Sequence, residues 1–257
     1  MIKAVFLDID GTMVSFATHC VPDNTKSALR KVRERGIKVF VATGRSGSDI
    51  NNLDDLEFDG YITVNGAYCT VGDEVIYKKS IPPEDVKAFV SYYEEVEPLS
   101  CFFVEADRVS ANVINEQMAQ MMEIVKFTPR PIIPSREFID KEIFQLTAFF
   151  PVEDEEKIMK HLPGCVATRW YPTFADIVAS GVDKSVGMEK IGRHFGFGAD
   201  EMMAIGDGGN DISMIKYAGT GVAMGNAGED VMLVADYVTT SVDDDGIGNA
   251  FRHFGIL

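Results

Sequence analysis

The feature that most constrains the fold is a repeated order of elements: a short apolar run, a polar or glycine-rich stop, and then a helical pattern. Ala4 to Leu7 is the first run, and a helix is predicted over residues 24–35, ending at Gly36. Continuous apolar runs are typical of strands buried on both faces of a parallel sheet, with helices as crossovers. The sequence therefore predicts an α/β fold with a doubly wound, mostly parallel sheet.

The same order of elements returns near the carboxyl end, whereas the region between has a different texture. From residue 82 to residue 182 the chain carries proline pairs, acidic helical segments and a separate strand-like run at 144–150. Its roughly 100 residues suffice for an independent core. We predict a first domain formed by residues 1–81 and 183–257 and an inserted α/β domain over 82–182. The other predicted core elements are strands at 38–42, 61–64, 202–205 and 221–224 and helices at 185–195 and 211–218.

Charge and hydropathy exclude several classes of partner. The net charge is -16, from 24 basic and 40 acidic residues, which disfavours binding to nucleic acid and to anionic membrane surfaces. No stretch approaches the roughly 18 to 20 apolar residues of a membrane span, and no signal peptide is recognised, so we expect a cytoplasmic protein. The sequence carries no signal for the oligomeric state.

Four dispersed cysteines without metal-ligand spacing are expected to be reduced packing residues: Cys20, Cys69, Cys101 and Cys165.

Polar clusters follow three of the predicted core strands. Ligands of open parallel sheets bind beyond the carboxyl ends of the strands, so these clusters are the candidate site. Asp8 and Asp10 share a face if the first strand continues, and Asp207 can approach them from a neighbouring strand. Three carboxylates in one place need a cation, and hard oxygen ligands suit Mg²⁺. The clusters are Asp8-Ile9-Asp10-Gly11-Thr12, Thr43-Gly44-Arg45 and Gly206-Asp207-Gly208-Gly209-Asn210-Asp211.

These residue types suit phosphoryl transfer. One carboxylate can attack phosphorus while the other protonates the leaving oxygen and then activates water, and we assign these roles to Asp8 and Asp10. The charge that develops on the phosphoryl oxygens needs fixed donors, and a lysine just before a helix is well placed to meet an anion. The candidate donors are Thr43, the Gly44 amide, Lys184 and Asn210, with Asp211 as a support for the metal waters or for Lys184.

Other interpretations remain open from the residues alone. An Asp-x-Asp-Gly segment is by itself typical of a turn or a calcium loop, although no acid stands at the twelfth position that an EF-hand requires. A phosphomutase would use the same phospho-aspartate. A receiver-like phospho-acceptor module needs neither Asp10 nor the insertion, and a magnesium-binding protein without turnover leaves Asp10 without a role. The joint placement of the clusters at strand ends favours a phosphatase that acts on a small phosphorylated metabolite.

The three clusters and Gly181-Val182-Asp183-Lys184 resemble, in their order and spacing, the four motifs of the haloacid dehalogenase superfamily along essentially the whole chain. The cluster at 8–12 resembles the first motif, the one at 43–45 the second, residues 181–184 the third, and the cluster at 206–211 the fourth. The second acid in the first motif resembles that of the phosphatases of this superfamily, whereas its dehalogenases have only one acid there. Further features resemble the Cof-like sugar-phosphate phosphatases, and the insertion resembles their α/β cap. These features are Val64-Asn65-Gly66-Ala67, the large insertion between the second and third motifs, and Asp245-Gly246-Ile247.

The resemblance implies a set of roles. Mg²⁺ is expected on the Asp8 side chain, the Asp10 backbone carbonyl and Asp207, and phosphate on Asp8, Thr43, Gly44, Lys184 and Asn210. Arg45 is expected to contact the phosphate or the leaving group, with a surface ion pair as the alternative. The substrate is expected to be a sugar phosphate that the cap selects; Trp170, Tyr171, Pro172 and Asp176 are candidates either for lining the cleft or for plain packing.

Overall fold

The structure, a computed structural model, describes residues 1–95, 99–124, 130–169 and 171–257. It divides into two compact units, one formed by Met1–Arg45, Asp49–Lys78 and Asp183–Leu257 and the other by Ser46–Ser48 and Lys79–Val182. Within these described ranges, no helix has the length and apolar character to cross a membrane. Trp170, a candidate for lining the cleft, lies outside the described residues.

The first part of the larger unit follows the predicted order of elements. Helix α1 packs the apolar side chains Ala28, Leu29 and Val32 into the core, and Gly36 follows its end with a left-handed φ of 81°. After the third strand, the chain forms a hairpin that the sequence analysis did not predict. The elements are β1 (Ala4–Leu7), α1 (Asp23–Glu34), β2 (Lys38–Ala42), β3 (Gly60–Thr63), β4 (Tyr68–Val71) and β5 (Glu74–Lys78).

The second unit contains an antiparallel sheet of five strands with its own core. Alternate residues of its strands, such as Leu146 and Ile177, pack with Phe89 and Phe103 in one apolar cluster. The elements are α2 (Pro83–Glu95), β6 (Cys101–Val104), β7 (Val109–Ala111), α3 (Glu116–Ile124), β8 (Gln145–Ala148), α4 (Glu155–Met159), β9 (Cys165–Thr168) and β10 (Ala175–Ala179). The strand order in the sheet is β7-β6-β8-β10-β9.

The chain then completes the larger unit with further strands and helices. The Asp183 side chain caps α5 by accepting hydrogen bonds from the Ser185 amide at 2.8 Å and the Val186 amide at 3.1 Å. The helix is followed by Gly196 with a left-handed φ of 75°. The elements are α5 (Lys184–Phe195), β11 (Met202–Gly206), α6 (Ile212–Tyr217), β12 (Thr220–Ala223), α7 (Glu229–Met232), β13 (Tyr237–Val238) and α8 (Gly246–His253).

The larger unit is built on one eight-stranded sheet in the order β13-β12-β11-β1-β2-β3-β4-β5. All its neighbouring strands are parallel except at β4 and β5, which run antiparallel to their neighbours. Strand β1 lies between β2 and β11, so the order of strands along the chain reverses beside it. The crevice at such a reversal is where open α/β sheets bind ligands. Because these strands are parallel, the loops after β1, β2 and β11 lie together at the carboxyl ends of the strands.

Helices cover both faces of this sheet, which confirms the predicted doubly wound fold. Val5 and Leu7 of β1 pack in one apolar cluster with residues of α1 and α8. Ala4 and Phe6 belong to a second cluster with residues of α5 and α6. Because both faces are covered, the strands read as continuous apolar runs rather than as alternating ones.

The cysteines are free thiols, and three of them are buried as expected. Burial raises the pKa of the Cys69 thiol to about 12, and it also raises the pKa values of Cys101 and Cys165. The prediction was wrong for Cys20, which is exposed. Cys20 stands in a turn, where its neighbour Val21 supplies the buried side chain.

Phe6 offers a direct test of this core. It is fully buried and stacks on Phe40 with ring centroids 4.8 Å apart. We expect Phe6→Ala to lower the free energy of unfolding by about 3–5 kcal/mol through lost transfer energy and a cavity, measured by urea denaturation. The control Leu233→Ala, at an 85% exposed position, should change it by less than about 0.5 kcal/mol. Equal effects of the two substitutions would contradict the assignment of this layer as core.

Candidate active site

The site lies just beyond the carboxyl ends of the central strands, where backbone hydrogen bonds between neighbouring strands continue for one more residue. The Asp8 amide donates to the Ile205 carbonyl at 3.1 Å, and the Thr43 amide donates to the Ile62 carbonyl at 2.8 Å. These bonds continue the ladder of hydrogen bonds past β1 and β2. The backbone of both residues is thus fixed by the sheet, which positions functional groups more precisely than a loop does.

A buried lysine links two carboxylates at the centre of the site. Lys184 Nζ lies 2.6 Å from Asp8 Oδ1 and 2.6 Å from Asp211 Oδ1, and its side chain is fully buried. Burial alone lowers the pKa of Lys184, whereas the Asp211 and Asp8 carboxylates raise it, and the net result is a pKa above the usual value. Lys184 therefore stays charged and holds both carboxylates.

Asp211 connects this lysine to the loop that carries Asp207. Its Oδ2 accepts hydrogen bonds from the Asp207 amide at 3.0 Å and the Gly208 amide at 2.9 Å. Gly206 makes room for it, since a Cβ at that position would lie 2.4 Å from Asp211 Cγ. One Asp211 oxygen thus accepts from Lys184 and the other accepts from two amides. These are contacts that a support for Lys184 would make, and that role stays a prediction.

Asp207 faces the first-motif loop. Thr12 Oγ1 donates to Asp207 Oδ1 at 2.7 Å, and Asn226 Nδ2 donates to the Gly11 carbonyl at 2.9 Å and reaches Asp207 Oδ2 at 3.4 Å. Gly11 has a left-handed φ of 84°, and a Cβ there would lie 2.2 Å from Asp207 Oδ2. The sequence analysis gave Thr12 no separate role and missed Asn226. The position of Asn226 shortly after β12 was the signal that could have found it.

Three carboxylates form the densest acidic group of the described residues. One oxygen each of Asp8, Asp207 and Asp211 lies within 4.8 Å of the others. Burial raises the pKa of Asp8, Lys184 lowers it, and the neighbouring acids raise it further, so that it lies well above the usual value. Burial likewise raises the pKa of Asp207 to about 7. One lysine does not balance this charge, and the oxygen donors fit a hard divalent cation.

Arg45 is paired with Asp10. Its Nε donates to Asp10 Oδ2 at 2.8 Å and its Nη2 donates to Asp10 Oδ1 at 2.5 Å. Its Nη1 donates to the Asp49 carbonyl at 3.1 Å and to Asn52 Oδ1 at 3.0 Å. All three guanidinium nitrogens thus have protein partners here, so a contact between Arg45 and phosphate stays a prediction.

The remaining phosphate-binding candidates lie around Asn65. The Arg45 amide donates to Thr43 Oγ1 at 3.1 Å, which places this hydroxyl inside the second-motif turn. Asn210 Nδ2 donates to Asn65 Oδ1 at 2.9 Å, and Asn65 also packs against Gly44. The structure therefore brings the second and fourth motifs together through a residue to which the sequence analysis gave no role.

Two candidates from the insertion lie within the second unit. Asp176 is buried, and its Oδ1 accepts hydrogen bonds from Gln145 Nε2 at 2.9 Å and Thr147 Oγ1 at 2.6 Å. The Tyr171 ring stacks on the Phe174 ring with centroids 6.1 Å apart. These contacts lie within the second unit, so a role in lining a cleft stays a prediction.

The fold and the site together define a class, namely α/β enzymes that carry an acidic cluster and a buried lysine at the carboxyl ends of a parallel sheet. A family model described as haloacid dehalogenase-like hydrolase matches residues 5–251. The chain belongs to this family.

Known relatives agree with this assignment. A solved structure of the sugar phosphatase BT4131, of haloacid dehalogenase subclass IIB, has a TM-score of 0.93 and 47% identity and covers 99% of this chain and 100% of that one. BT1666, a phosphatase from Bacteroides thetaiotaomicron, has a TM-score of 0.92 and 41% identity over 100% of this chain and 96% of that one. The Bacillus subtilis protein YkrA, whose name provisionally calls it a phosphatase, is 33% identical over 99% of this chain and 98% of its own length.

These comparisons confirm three predictions: a Cof-like phosphatase of the haloacid dehalogenase superfamily, its α/β fold, and phosphatase as the type of enzyme. The structural relatives include a sugar phosphatase, and members of the family generally use a divalent metal.

The buried lysine gives a prediction that depends on pH. Because burial raises the pKa of Asp8 above its unfolded value, Asp8 favours folding at low pH, and this contribution is lost as the pH rises through the raised pKa. The positive charge of Lys184 lowers the pKa of Asp8 and so reduces this loss of stability. Lys184→Met removes that charge. We expect it to cost about 3–5 kcal/mol near pH 8 and clearly less near pH 5, measured by urea denaturation with chelator present.

Lys160→Met is the matched control, since Lys160 forms an exposed ion pair with Glu156. It should change stability by less than about 0.5 kcal/mol at both pH values. A cost of Lys184→Met that is the same at both pH values would show that Lys184 acts through packing rather than through its charge.

Proposed function

We propose that this protein is a Mg²⁺-dependent phosphatase that hydrolyses a small phosphorylated metabolite, a sugar phosphate, through a phospho-aspartate on Asp8. The observation that carries the proposal is the pairing of Asp8 with the buried Lys184 beside Asp207 and Asp211. This arrangement leaves one carboxylate fixed and close to a cluster that a divalent cation fits. An attack on phosphorus by Asp8 is the chemistry that such a carboxylate can supply.

The metal would be held by the Asp8 side chain, the Asp10 backbone carbonyl and Asp207. When bound, Mg²⁺ supplies positive charge that screens the acids and the phosphoryl group from one another. The contacts of Asp211 support this division of roles, because its two oxygens accept from Lys184 and from backbone amides. Thr12 and Asn226 orient Asp207 from the other side.

In the first step, Asp8 attacks phosphorus and the bond from phosphorus to the ester oxygen breaks. Lys184 holds Asp8 Oδ1, which fixes the orientation of the carboxylate. The phosphoryl oxygens are stabilised by Lys184, Thr43, the Gly44 amide and Asn210. Asp10 gives its proton to the leaving oxygen, and the products are the alcohol and phospho-Asp8.

In the second step, Asp10 takes a proton from water, whose oxygen attacks the phosphorus of phospho-Asp8. The bond from phosphorus to Asp8 breaks, which releases phosphate, restores the Asp8 carboxylate and leaves Asp10 protonated for the next leaving group. In this structure both Asp10 oxygens accept hydrogen bonds from Arg45. To act as an acid, Asp10 must take up a proton and turn one oxygen away from Arg45.

The choice of a sugar phosphate rests on the resemblance to BT4131, a sugar phosphatase that is 47% identical to this chain. We propose that residues 82–182 form a cap domain that selects the leaving group, as the resemblance implies. The same proposal includes a cytoplasmic location, where phosphorylated metabolites are found. The net charge of -16 supports a small substrate rather than a nucleic acid.

The test is phosphate release from an aryl phosphate and from a panel of sugar phosphates, with Mg²⁺ or with chelator. We expect turnover that requires Mg²⁺ and falls at least about 10³-fold in Asp8→Asn and about 10²- to 10⁴-fold in Asp10→Asn with sugar phosphates. Asp54→Asn, at a surface position, is the matched control and should retain full activity. Full activity of Asp8→Asn would contradict the proposal, and an isomerised sugar phosphate without free phosphate would indicate a mutase.

A further inference from the structure

The segment after β3 has a backbone that few sequences adopt. Val64, Asn65 and Gly66 have φ values of 52°, 54° and 101°, so that three successive residues are left-handed. Glycine and asparagine tolerate this region, but a β-branched valine is an outlier there. Such strain persists only where the surroundings hold it, and it is concentrated at functional sites.

Backbone contacts from the second motif hold this turn. The Val64 amide donates to the Arg45 carbonyl at 2.9 Å, and the Asn65 amide donates to the Thr43 carbonyl at 3.0 Å. On the other side, a Cβ at Gly66 would lie 2.0 Å from the Asp183 carbonyl oxygen, immediately before Lys184. The turn is therefore fixed between the second motif and the start of α5.

The Asn65 side chain lies between two of the proposed phosphate-binding groups. It is buried, and its Oδ1 accepts a hydrogen bond from Asn210 Nδ2 at 2.9 Å. A Cβ at Gly44 would lie 3.0 Å from Asn65 Oδ1 and 3.3 Å from Nδ2, so the carboxamide packs directly against the Gly44 backbone. A side chain at position 44 would therefore press on the Asn65 carboxamide.

The hydrogen bond also fixes which way the Asn210 carboxamide points. An amide oxygen only accepts, so Asn65 Oδ1 selects the NH₂ end of Asn210. The Asn210 oxygen lies at the other end, where a Cβ at Gly208 would be 2.8 Å from it. The second hydrogen of Asn210 Nδ2 then remains to be donated to a phosphoryl oxygen.

We propose that Asn65 is a positioning residue for phosphoryl transfer, which orients the Asn210 carboxamide and holds the Gly44 amide in place. The proposal rests on the proposed function, because Asn210 and Gly44 are taken to bind the transferred phosphoryl group. Asn65 itself does not touch the reacting atoms. The left-handed turn serves to place its side chain between the second and fourth motifs.

The test is a double-mutant cycle of Asn65→Gly and Asn210→Ala, with an aryl phosphate as substrate and Mg²⁺ present. Glycine keeps the left-handed backbone and removes only the carboxamide. We expect Asn65→Gly to lower kcat/KM about 10- to 100-fold in the wild-type background, as is usual for residues that orient ligand-binding groups. In the Asn210→Ala background it should lower kcat/KM clearly less than in the wild type, because only its contact with Gly44 remains to be lost.

Asp54→Gly is the matched control: Asp54 is also left-handed, with a φ of 53°, but it is exposed. It should leave kcat/KM unchanged. Orthovanadate binding, measured by calorimetry, gives a second readout, and it should weaken in Asn65→Gly in proportion to kcat/KM. If Asn65→Gly does not fold, Asn65→Ser, whose hydroxyl is too short to bring an acceptor to Asn210 Nδ2, should weaken orthovanadate binding.

The outcomes separate the two proposals. An inactive wild type contradicts the proposed function and this inference with it. An active wild type with an unchanged Asn65→Gly, or with equal effects of Asn65→Gly in both backgrounds, contradicts the positioning role alone. Wild-type orthovanadate affinity of a folded Asn65→Ser also contradicts it.

Discussion

The contact on which the site depends is the buried ion pair of Lys184 with Asp8 and Asp211. A fully buried ammonium group is costly unless it is paired, and here two carboxylate oxygens lie 2.6 Å from it. Because Asp211 also accepts two amides of the Asp207 loop, the lysine ties the ends of β1 and β11 to the start of α5. The remaining excess of negative charge is what gives the site its fit to a divalent cation.

Much of the fold and of this cluster could be predicted from the sequence. Buried parallel strands leave apolar runs, so Ala4–Leu7 and Lys38–Ala42 were predicted with the bounds that the structure shows. Parallel strands bring their carboxyl ends to one edge, which is why Asp8 and Asp207 were expected to meet. The β4–β5 hairpin was missed because its half-exposed strands lack a continuous apolar run.

The side-chain pairing within the site could not be predicted in the same way. Arg45 was expected to contact the phosphate or leaving group or to form an ion pair, and only the structure shows its two hydrogen bonds to Asp10. Asn65 and Asn226 act on residues far away in the sequence, through contacts that the packing of loops decides. Periodicity and spacing report on local structure and burial, and they carry no information about such distant partners.

The proposed mechanism requires that Asp8 becomes phosphorylated, and this phospho-aspartate can be trapped. In Asp10→Asn, the base that activates water is absent, while an aryl leaving group needs little protonation, so the intermediate should accumulate. After rapid acid quench with radiolabelled aryl phosphate and Mg²⁺, we expect label on the peptide that contains Asp8, released by hydroxylamine. Phosphate release without any labelled protein, or label on a different residue, would rule out phospho-Asp8 as the intermediate.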